Sequence, residues 1–374
     1  MKYYLIAGEA SGDLHGSNLI KELKLLDNNA VFRCWGGDLM EQQGATLVKH
    51  YRSLAFMGFL EVLLNIKTIL RNINFCKNDI LKFEPDVLIL IDYPGFNLRI
   101  AEFAKSKGLK IFYYISPQVW AWNSSRVHKI KKFVDNLFVI LPFEKNFYKK
   151  FNYEVDFVGH PLIDTIKLDM PRETLLQSVG LPSDKLTIGI LPGSRAKEVE
   201  RLLPIMLKAA KILYNENDRV QFLLLKAPTV DLDHLKKYID HASISIKIIN
   251  DKTYDGINAS HLCMVASGTA TLETAILQKP MVVIYKTSLL TWFLAKLFVK
   301  IPYIGLVNVV AGKKVVPEYI QFDATPEKIA AELKNIFTNE VKIAEIKSDL
   351  SRVKSSLGSP GASRRAAEII LQTV

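Results

Sequence analysis

Two short glycine-bearing loops, each following an apolar strand and each opening a helix, lie about half a chain apart and restrict the fold more than any other feature. In the first, Tyr3-Tyr4-Leu5-Ile6 runs into Ala7-Gly8-Glu9-Ala10-Ser11-Gly12-Asp13. In the second, Leu186-Thr187-Ile188-Gly189-Ile190-Leu191 runs into Pro192-Gly193-Ser194-Arg195. A strand that ends in small residues just before a helix presents backbone N–H groups at that helix's N-terminus, a favourable place for anionic or polar ligands. Two such units imply an α/β chain of two Rossmann-like doubly wound halves facing each other across a cleft. That arrangement suits an enzyme that brings a nucleotide-linked donor to a second substrate.

Length agrees, since 374 residues exceed what one hydrophobic core usually serves. With 49% hydrophobic and 23% charged residues the chain is globular, not disordered. Cys34, Cys76 and Cys263 lie far apart with no C-x-x-C spacing, so reduced, buried thiols are expected, and neither a disulfide framework nor a zinc site. Met1-Lys2 leads straight into a short strand, so no signal peptide is expected. No window reaches the ~18 unbroken apolar residues of a membrane-spanning helix. The formal charge of +11 favours polyanions, be they nucleic acid, nucleotide phosphates or an anionic membrane face. Coding bias toward lysine accounts for the charge equally well. No RNA-binding motif or basic–aromatic interleaving supports nucleic acid.

Strand-like and helix-like runs alternate nearly throughout, as in parallel sheets with crossover helices. In the first half strands are expected near Tyr3–Ala7, Val31–Trp35, Val87–Asp92, Lys110–Ile115, Asn136–Ile140 and Val155–Val158, with helices at Leu14–Leu26, Glu61–Phe83 and Leu98–Ser106. Gly159-His160-Pro161 breaks the pattern, and the stretch from Asp169-Met170-Pro171 to Leu181-Pro182 is polar and turn-rich. The expected domains are therefore 1–168 and 169–374. The second restarts with a strand at Thr187–Leu191 and a helix at Glu198–Tyr214, followed by strands near Val220–Leu225, Ile244–Ile249, Leu262–Ala266 and Met281–Tyr285. Helices at Pro326–Phe337, Val341–Ser355 and Gly361–Leu371 close the chain, free to pack back on the first domain or on a partner.

Several residues at strand ends are candidates for chemistry. Ser267-Gly268-Thr269 follows an apolar strand, with a helix expected to start near Thr269. Its hydroxyls and N–H groups suit a phosphate, and Glu273, one turn on, suits ribose hydroxyls; a plain helix cap with an acidic first turn uses the same residues. Arg195 can fork onto a diphosphate or pair with Glu198 or Glu200 at the surface. The loop lacks the Lys-Ser/Thr ending of a P-loop, which argues against an ATPase. Asp92 ends the run Val87-Leu88-Ile89-Leu90-Ile91, where desolvation can raise its pKa toward general-base work or where it can serve as a turn carboxylate. Glu9 and His15 sit in and after the first loop near the same edge; a lone helical histidine is more often structural. Gln118, in Ser116-Pro117-Gln118-Val119-Trp120-Ala121-Trp122, is placed to hydrogen-bond a ligand, whereas the tryptophans read as packing that shapes the loop. His160 reads as a hinge, cleft or structural residue.

The segment 57–83 is over-apolar for a surface helix. Phe59, Leu60, Leu63, Leu64 and Leu70 widen the core stripe of Val62, Ile66, Ile69 and Ile73, beside Lys67, Arg71 and Lys77. The segment 288–300 repeats the theme with Leu289, Leu290, Trp292, Phe293, Leu294, Leu297 and Phe298 flanked by Lys296 and Lys300. Such segments suit a membrane interface, an acyl-chain groove or a helix buried on two sides.

Taken together, these motifs resemble the lipid-A-disaccharide synthase family, glycosyltransferases that join two acylated glucosamines in Gram-negative bacteria. The resemblance runs over essentially the whole chain. It rests on Gly8-Glu9-Ala10-Ser11-Gly12-Asp13, Asp92-Tyr93-Pro94-Gly95-Phe96-Asn97, the Ser116–Trp122 run and Phe157-Val158-Gly159-His160-Pro161. In the second half it rests on Leu191-Pro192-Gly193-Ser194-Arg195, the Ser267–Glu273 run and Asn308-Val309-Val310-Ala311-Gly312. The resemblance implies the two-domain GT-B fold with the donor UDP held mainly by the C-terminal half. It also implies transfer of 2,3-diacylglucosamine from UDP-diacylglucosamine to the 6-hydroxyl of 2,3-diacylglucosamine 1-phosphate (lipid X), with inversion to a β(1→6) link. On it, Asp92 is the expected base and Glu9 its runner-up or an orienting partner. Arg195, Ser267, Gly268, Thr269 and Glu273 hold the donor, Asn308 and Gln321 match family positions that contact donor phosphate or sugar, and Ser11, His15 and Gln118 line the substrate site. No D-x-D in the right setting is present, so neither metal nor cofactor is expected. The implied location is the cytosolic face of the inner membrane, held peripherally, and a homodimer is compatible with the sequence. Val307 stands where the family pattern has proline, a departure that touches only the local loop shape. A UDP-sugar epimerase of the same fold is the alternative enzyme.

Overall fold

The computed structural model describes residues 1–54, 65–289, 291–293 and 301–374. Thirteen strands form two sheets among these residues: β1 Lys2–Ala7, β2 Val31–Gly36, β3 Thr46–His50, β4 Val87–Ile91, β5 Lys110–Tyr114, β6 Asn136–Val139, β7 Asp156–Phe157, β8 Leu186–Leu191, β9 Val220–Leu225, β10 Ile246–Ile249, β11 Leu262–Ala266, β12 Met281–Tyr285 and β13 Glu318–Ile320. The first sheet has the order β3-β2-β1-β4-β5-β6-β7 and the second β10-β9-β8-β11-β12-β13. Every pairing is parallel. Sheets of this kind are covered on both faces, so their central strands are continuous apolar runs, not alternating ones. Val87 to Ile91 are all fully buried, as are Tyr3 to Ala7.

The chain divides into two compact units, Met1–Asp164 with Leu357–Val374, and Thr165–Ser356. The C-terminal helix Ala362–Thr373 thus packs with the first unit, not with residues 169–356 before it. Specific bonds explain the return. The Asp164 carboxylate accepts the N–H groups of Gly361 (2.6 Å) and Ala362 (3.0 Å), at the start of that helix. Arg365 Nε donates to the Val158 carbonyl at 2.9 Å.

Each sheet reverses its strand order once, between β1 and β4 and between β8 and β11, and ligands of doubly wound proteins gather at such points outside the strands' carboxyl ends. Register brings the loops level: Ala7 lies opposite Ile91, and Val265 opposite Leu191. Gly8 and Asp92 therefore leave adjacent strands at one height. So do Pro192 and, one residue further along its strand, Ser267.

Some boundaries differ from the sequence reading. The first helix begins at Ala10, not Leu14, and the one after β4 begins at Pro94, not Leu98. β3 and β13 were not expected; both are edge strands, β3 carrying Lys49 and His50 and β13 only three residues long. Of the two apolar segments, residues 57–64, 290 and 294–300 lie outside the described residues. Among the described residues, no helix is long and apolar enough to cross a membrane.

Candidate functional site

In the first unit the loop after β1 needs glycine on steric grounds, because a Cβ on Gly8 would lie 2.4 Å from the Tyr93 ring. That ring belongs to the loop after β4, so the two loops are packed together. Asp92 and Tyr93 both adopt left-handed backbone, φ 41° and 49°, unusual for residues with side chains. The Asp92 side chain is reachable by solvent yet crowded by protein atoms. Desolvation, then the negative charge of Glu9, pushes its carboxyl up to about 6. Glu9 and Asp92 are thereby brought together as two interacting carboxylates. Ser11 is exposed in the first turn of the helix Ala10–Leu26.

Other first-unit candidates lie elsewhere in the local structure. His15 is buried, only 8% exposed, and its Nδ1 has no hydrogen-bond partner among the described residues. Burial lowers its pKa to about 4, so the ring is neutral. His160 is buried as well; its Nδ1 accepts the Leu162 N–H at 3.2 Å, and burial followed by the effect of His15 lowers its pKa to about 3. Gln118 is exposed just before the short helix Val119–Trp122. Trp120 Nε1 donates to Glu144 at 3.1 Å, which fixes the loop as packing. Glu144 also accepts the N–H groups of Ile140 and Leu141, and burial, against those bonds, pushes its carboxyl up to about 7.

In the second unit Arg195 precedes the helix Ala196–Glu216, half-exposed, with Nη1 3.2 Å from Glu198 Oε1. The surface pairing weighed from the sequence is therefore present. Glu198 Oε2 also accepts the Ser194 N–H at 3.3 Å. Gly193 has φ 116°, and a Cβ there would lie 2.7 Å from Glu198 Oε2, so glycine is what lets this carboxylate fold back on the loop. An exposed pair of this kind contributes little to stability, leaving the guanidinium exchangeable toward a stronger anion.

Beside it, Ser267 Oγ donates to the Ile304 carbonyl at 2.9 Å, Gly268 faces open space, and Thr269 is exposed before the helix Ala270–Ile276. The Glu273 carboxylate makes no hydrogen bond or ion pair among the described residues, and desolvation pushes its pKa up to about 7. Glu273 is half-buried, so its carboxylate is within reach of a ligand's hydroxyls.

Asn308 and Gln321, expected to contact the donor, are both engaged with the protein itself. Asn308 is fully buried; its Nδ2 donates to the Val316 carbonyl (2.9 Å) and Glu318 Oε1 (2.8 Å), and its Oδ1 accepts from the N–H groups of Val315 (2.8 Å) and Val316 (3.0 Å). Four bonds exhaust an amide's capacity, so none is left for a ligand. Gln321 Oε1 accepts the Thr287 N–H (3.0 Å) and its Nε2 donates to the Thr287 carbonyl (3.1 Å), extending the β12–β13 pairing through a side chain. Both residues shape loops.

Sequence reasoning passed over Glu318, Glu144, Tyr113 and, as an individual residue, Asn97. Glu318 Oε1 and Oε2 cap the N–H groups of Gly305 and Ile304. Asn97 Nδ2 donates to the Asp92 carbonyl at 2.7 Å, and the Tyr113 hydroxyl donates to that same oxygen. The only signal available was position: Tyr113 is in β5, directly beside β4.

A family model described as lipid-A-disaccharide synthetase matches residues 3–374. The chain is 43% identical over 371 residues to the lipid-A-disaccharide synthase of Syntrophus aciditrophicus, covering 99% of this chain and 97% of the relative. It is 41% identical over 368 residues to that of Geobacter metallireducens (98% and 96%), and 38% identical over 359 residues to lipid-A-disaccharide synthase 1 of Legionella pneumophila strain Paris (96% and 94%). Among solved structures it resembles the UDP-GlcNAc 2-epimerase of Neisseria meningitidis bound to UDP-GlcNAc, with TM-score 0.68, 14% identity and full coverage of both chains. It also resembles the calicheamicin glycosyltransferase CalG4, with TM-score 0.63, 13% identity and coverage of 100% and 98%. At such identities these likenesses establish the fold: two Rossmann-like domains of the GT-B type.

Proposed function

Because the chain belongs to the lipid-A-disaccharide synthase family of glycosyltransferases, we propose that it transfers 2,3-diacylglucosamine from UDP-2,3-diacylglucosamine to the 6-hydroxyl of 2,3-diacylglucosamine 1-phosphate. The products are a β(1→6) disaccharide and UDP. Full-length sequence kinship carries this reading. The placement of Glu9 with Asp92, and of Arg195 with the 267–273 loop, at the two sheets' reversal points supports it.

In this reading Asp92 takes the proton of the acceptor's 6-hydroxyl as that oxygen attacks the donor's C1. The C1–O bond to UDP breaks through an oxocarbenium-like state, and the electron pair leaves with UDP. Inversion follows from a single displacement. A carboxyl near pKa 6 suits the task, being ionised at neutral pH yet more basic than an ordinary aspartate. Glu9 raises that basicity and orients the acceptor. Arg195 exchanges Glu198 for the diphosphate and meets the charge that grows on the leaving UDP. Glu273 takes the ribose hydroxyls, and Ser267, Gly268 and Thr269 surround the phosphates. Asn308 and Gln321 act by holding their loops. We assign no metal to the reaction.

Both lipid substrates place the enzyme on the cytosolic face of the inner membrane, bound peripherally. The helix Ile66–Phe83 offers Ile66, Leu70 and Leu81 exposed at 40%, 51% and 47%, alongside Lys67, Arg71 and Lys82. Purified protein given UDP-2,3-diacylglucosamine and lipid X in EDTA should yield disaccharide and UDP. Equal UDP release without the acceptor would instead indicate epimerase-type chemistry.

A further inference from the structure

We propose that Tyr113 and Asn97 are positioning residues for Asp92, two buried side chains that lock its backbone and so set where its carboxylate stands. This inference rests on Asp92 being the base. The starting observation is strain: consecutive non-glycine residues in left-handed conformation, Asp92 and Tyr93, are each costly and persist only where the surroundings over-determine them.

The determinants converge on one atom. The Asp92 carbonyl oxygen accepts Asn97 Nδ2 at 2.7 Å and the Tyr113 hydroxyl. Asn97 Nδ2 also reaches the carbonyls of Ile91 (3.2 Å) and Ile6 (3.4 Å), tying the ends of β4 and β1 to the same point. Both side chains are fully buried. Asn97 Oδ1, by contrast, is buried and has no partner among the described residues. An amide turned so that its donors meet three carbonyls while its acceptor stays unsatisfied is costly, and only the donor side explains that orientation. Tyr113 remains a reliable donor, because burial and then the nearby Asp92 charge push its pKa well up. Without these bonds the 92–93 backbone is free to relax toward ordinary φ, carrying the carboxylate away from the acceptor oxygen. Displacements near 1 Å cost on the order of 10²-fold in rate.

Tyr113→Phe removes the hydroxyl and keeps the ring, and Asn97 still holds the carbonyl, so the variant should fold. Steady-state kinetics should show kcat lowered ~10-fold with acceptor KM changed less than ~2-fold. The acidic limb of the kcat–pH profile should move to lower pH as the carboxylate gains solvent. On an Asp92→Asn background, the same substitution should change residual turnover less than ~2-fold, since the two residues act as one unit. Native turnover in Tyr113→Phe, or an equal loss on both backgrounds, overturns the positioning role and leaves the base assignment standing. Native turnover in Asp92→Asn itself removes the base, and the inference with it.

Discussion

Asp92 can accept a proton only as a carboxylate. With its carboxyl pushed up to about 6 by desolvation and by Glu9, turnover should fall as pH drops through that value, and Glu9→Gln should shift the limb to lower pH by removing the neighbouring charge. Asp92→Ala should reduce kcat by at least ~10² while UDP affinity, measured calorimetrically, stays nearly unchanged. Unaltered turnover would place the base elsewhere. Glu273 obeys the same logic for binding. Its carboxyl, raised to about 7, must ionise to accept ribose hydroxyls strongly, so UDP should bind more weakly as pH falls below that value. Glu273→Gln should flatten this dependence. A native profile that is already flat would remove the ribose contact.

At the scale of elements, the segment between β12 and β13 is held by residues that serve structure, and Asn308 is the sharpest case. Asn308→Ala would leave the Val315 and Val316 N–H groups and the Glu318 carboxylate short of partners in the interior, at ~1–3 kcal/mol for each group. The melting temperature of the second unit should drop by several degrees, at ~2–4 °C per kcal/mol. An unchanged melt with weakened UDP binding would make Asn308 a ligand contact after all. The same case shows what was legible in the sequence. Apolar runs such as Val87–Ile91 and Leu262–Ala266, followed by small-residue loops, announce buried parallel strands, and the reversal-point loops follow from that pattern. Motif membership did not separate Asn97, Asn308 and Gln321 from ligand contacts. An amide's partner depends on which carbonyl the fold brings within 3 Å, and no spacing rule encodes that. β3 stayed hidden because Thr46, Lys49 and His50 dilute its apolar signal at a sheet edge, where such residues blunt unwanted pairing.

At the scale of the whole molecule, the charge of +11 and the exposed leucines of the helix Ile66–Phe83 pull in one direction if the enzyme meets its lipids at an anionic surface. The two contributions separate experimentally, because screening acts on one alone. Raising salt from about 0.05 to 0.5 M shortens the screening length several-fold and should release much of the protein from phosphatidylglycerol vesicles. A salt-resistant fraction should remain, carried by apolar insertion. Leu70→Ser with Leu81→Ser should abolish that fraction and leave the thermal transition in place, since both side chains are about half exposed and contribute little to the core. A large fall in melting temperature would mean that these residues are buried by other parts of the chain, and the helix would then lose its claim to the membrane. Binding that ignores salt would in turn reduce the positive charge to a property of composition.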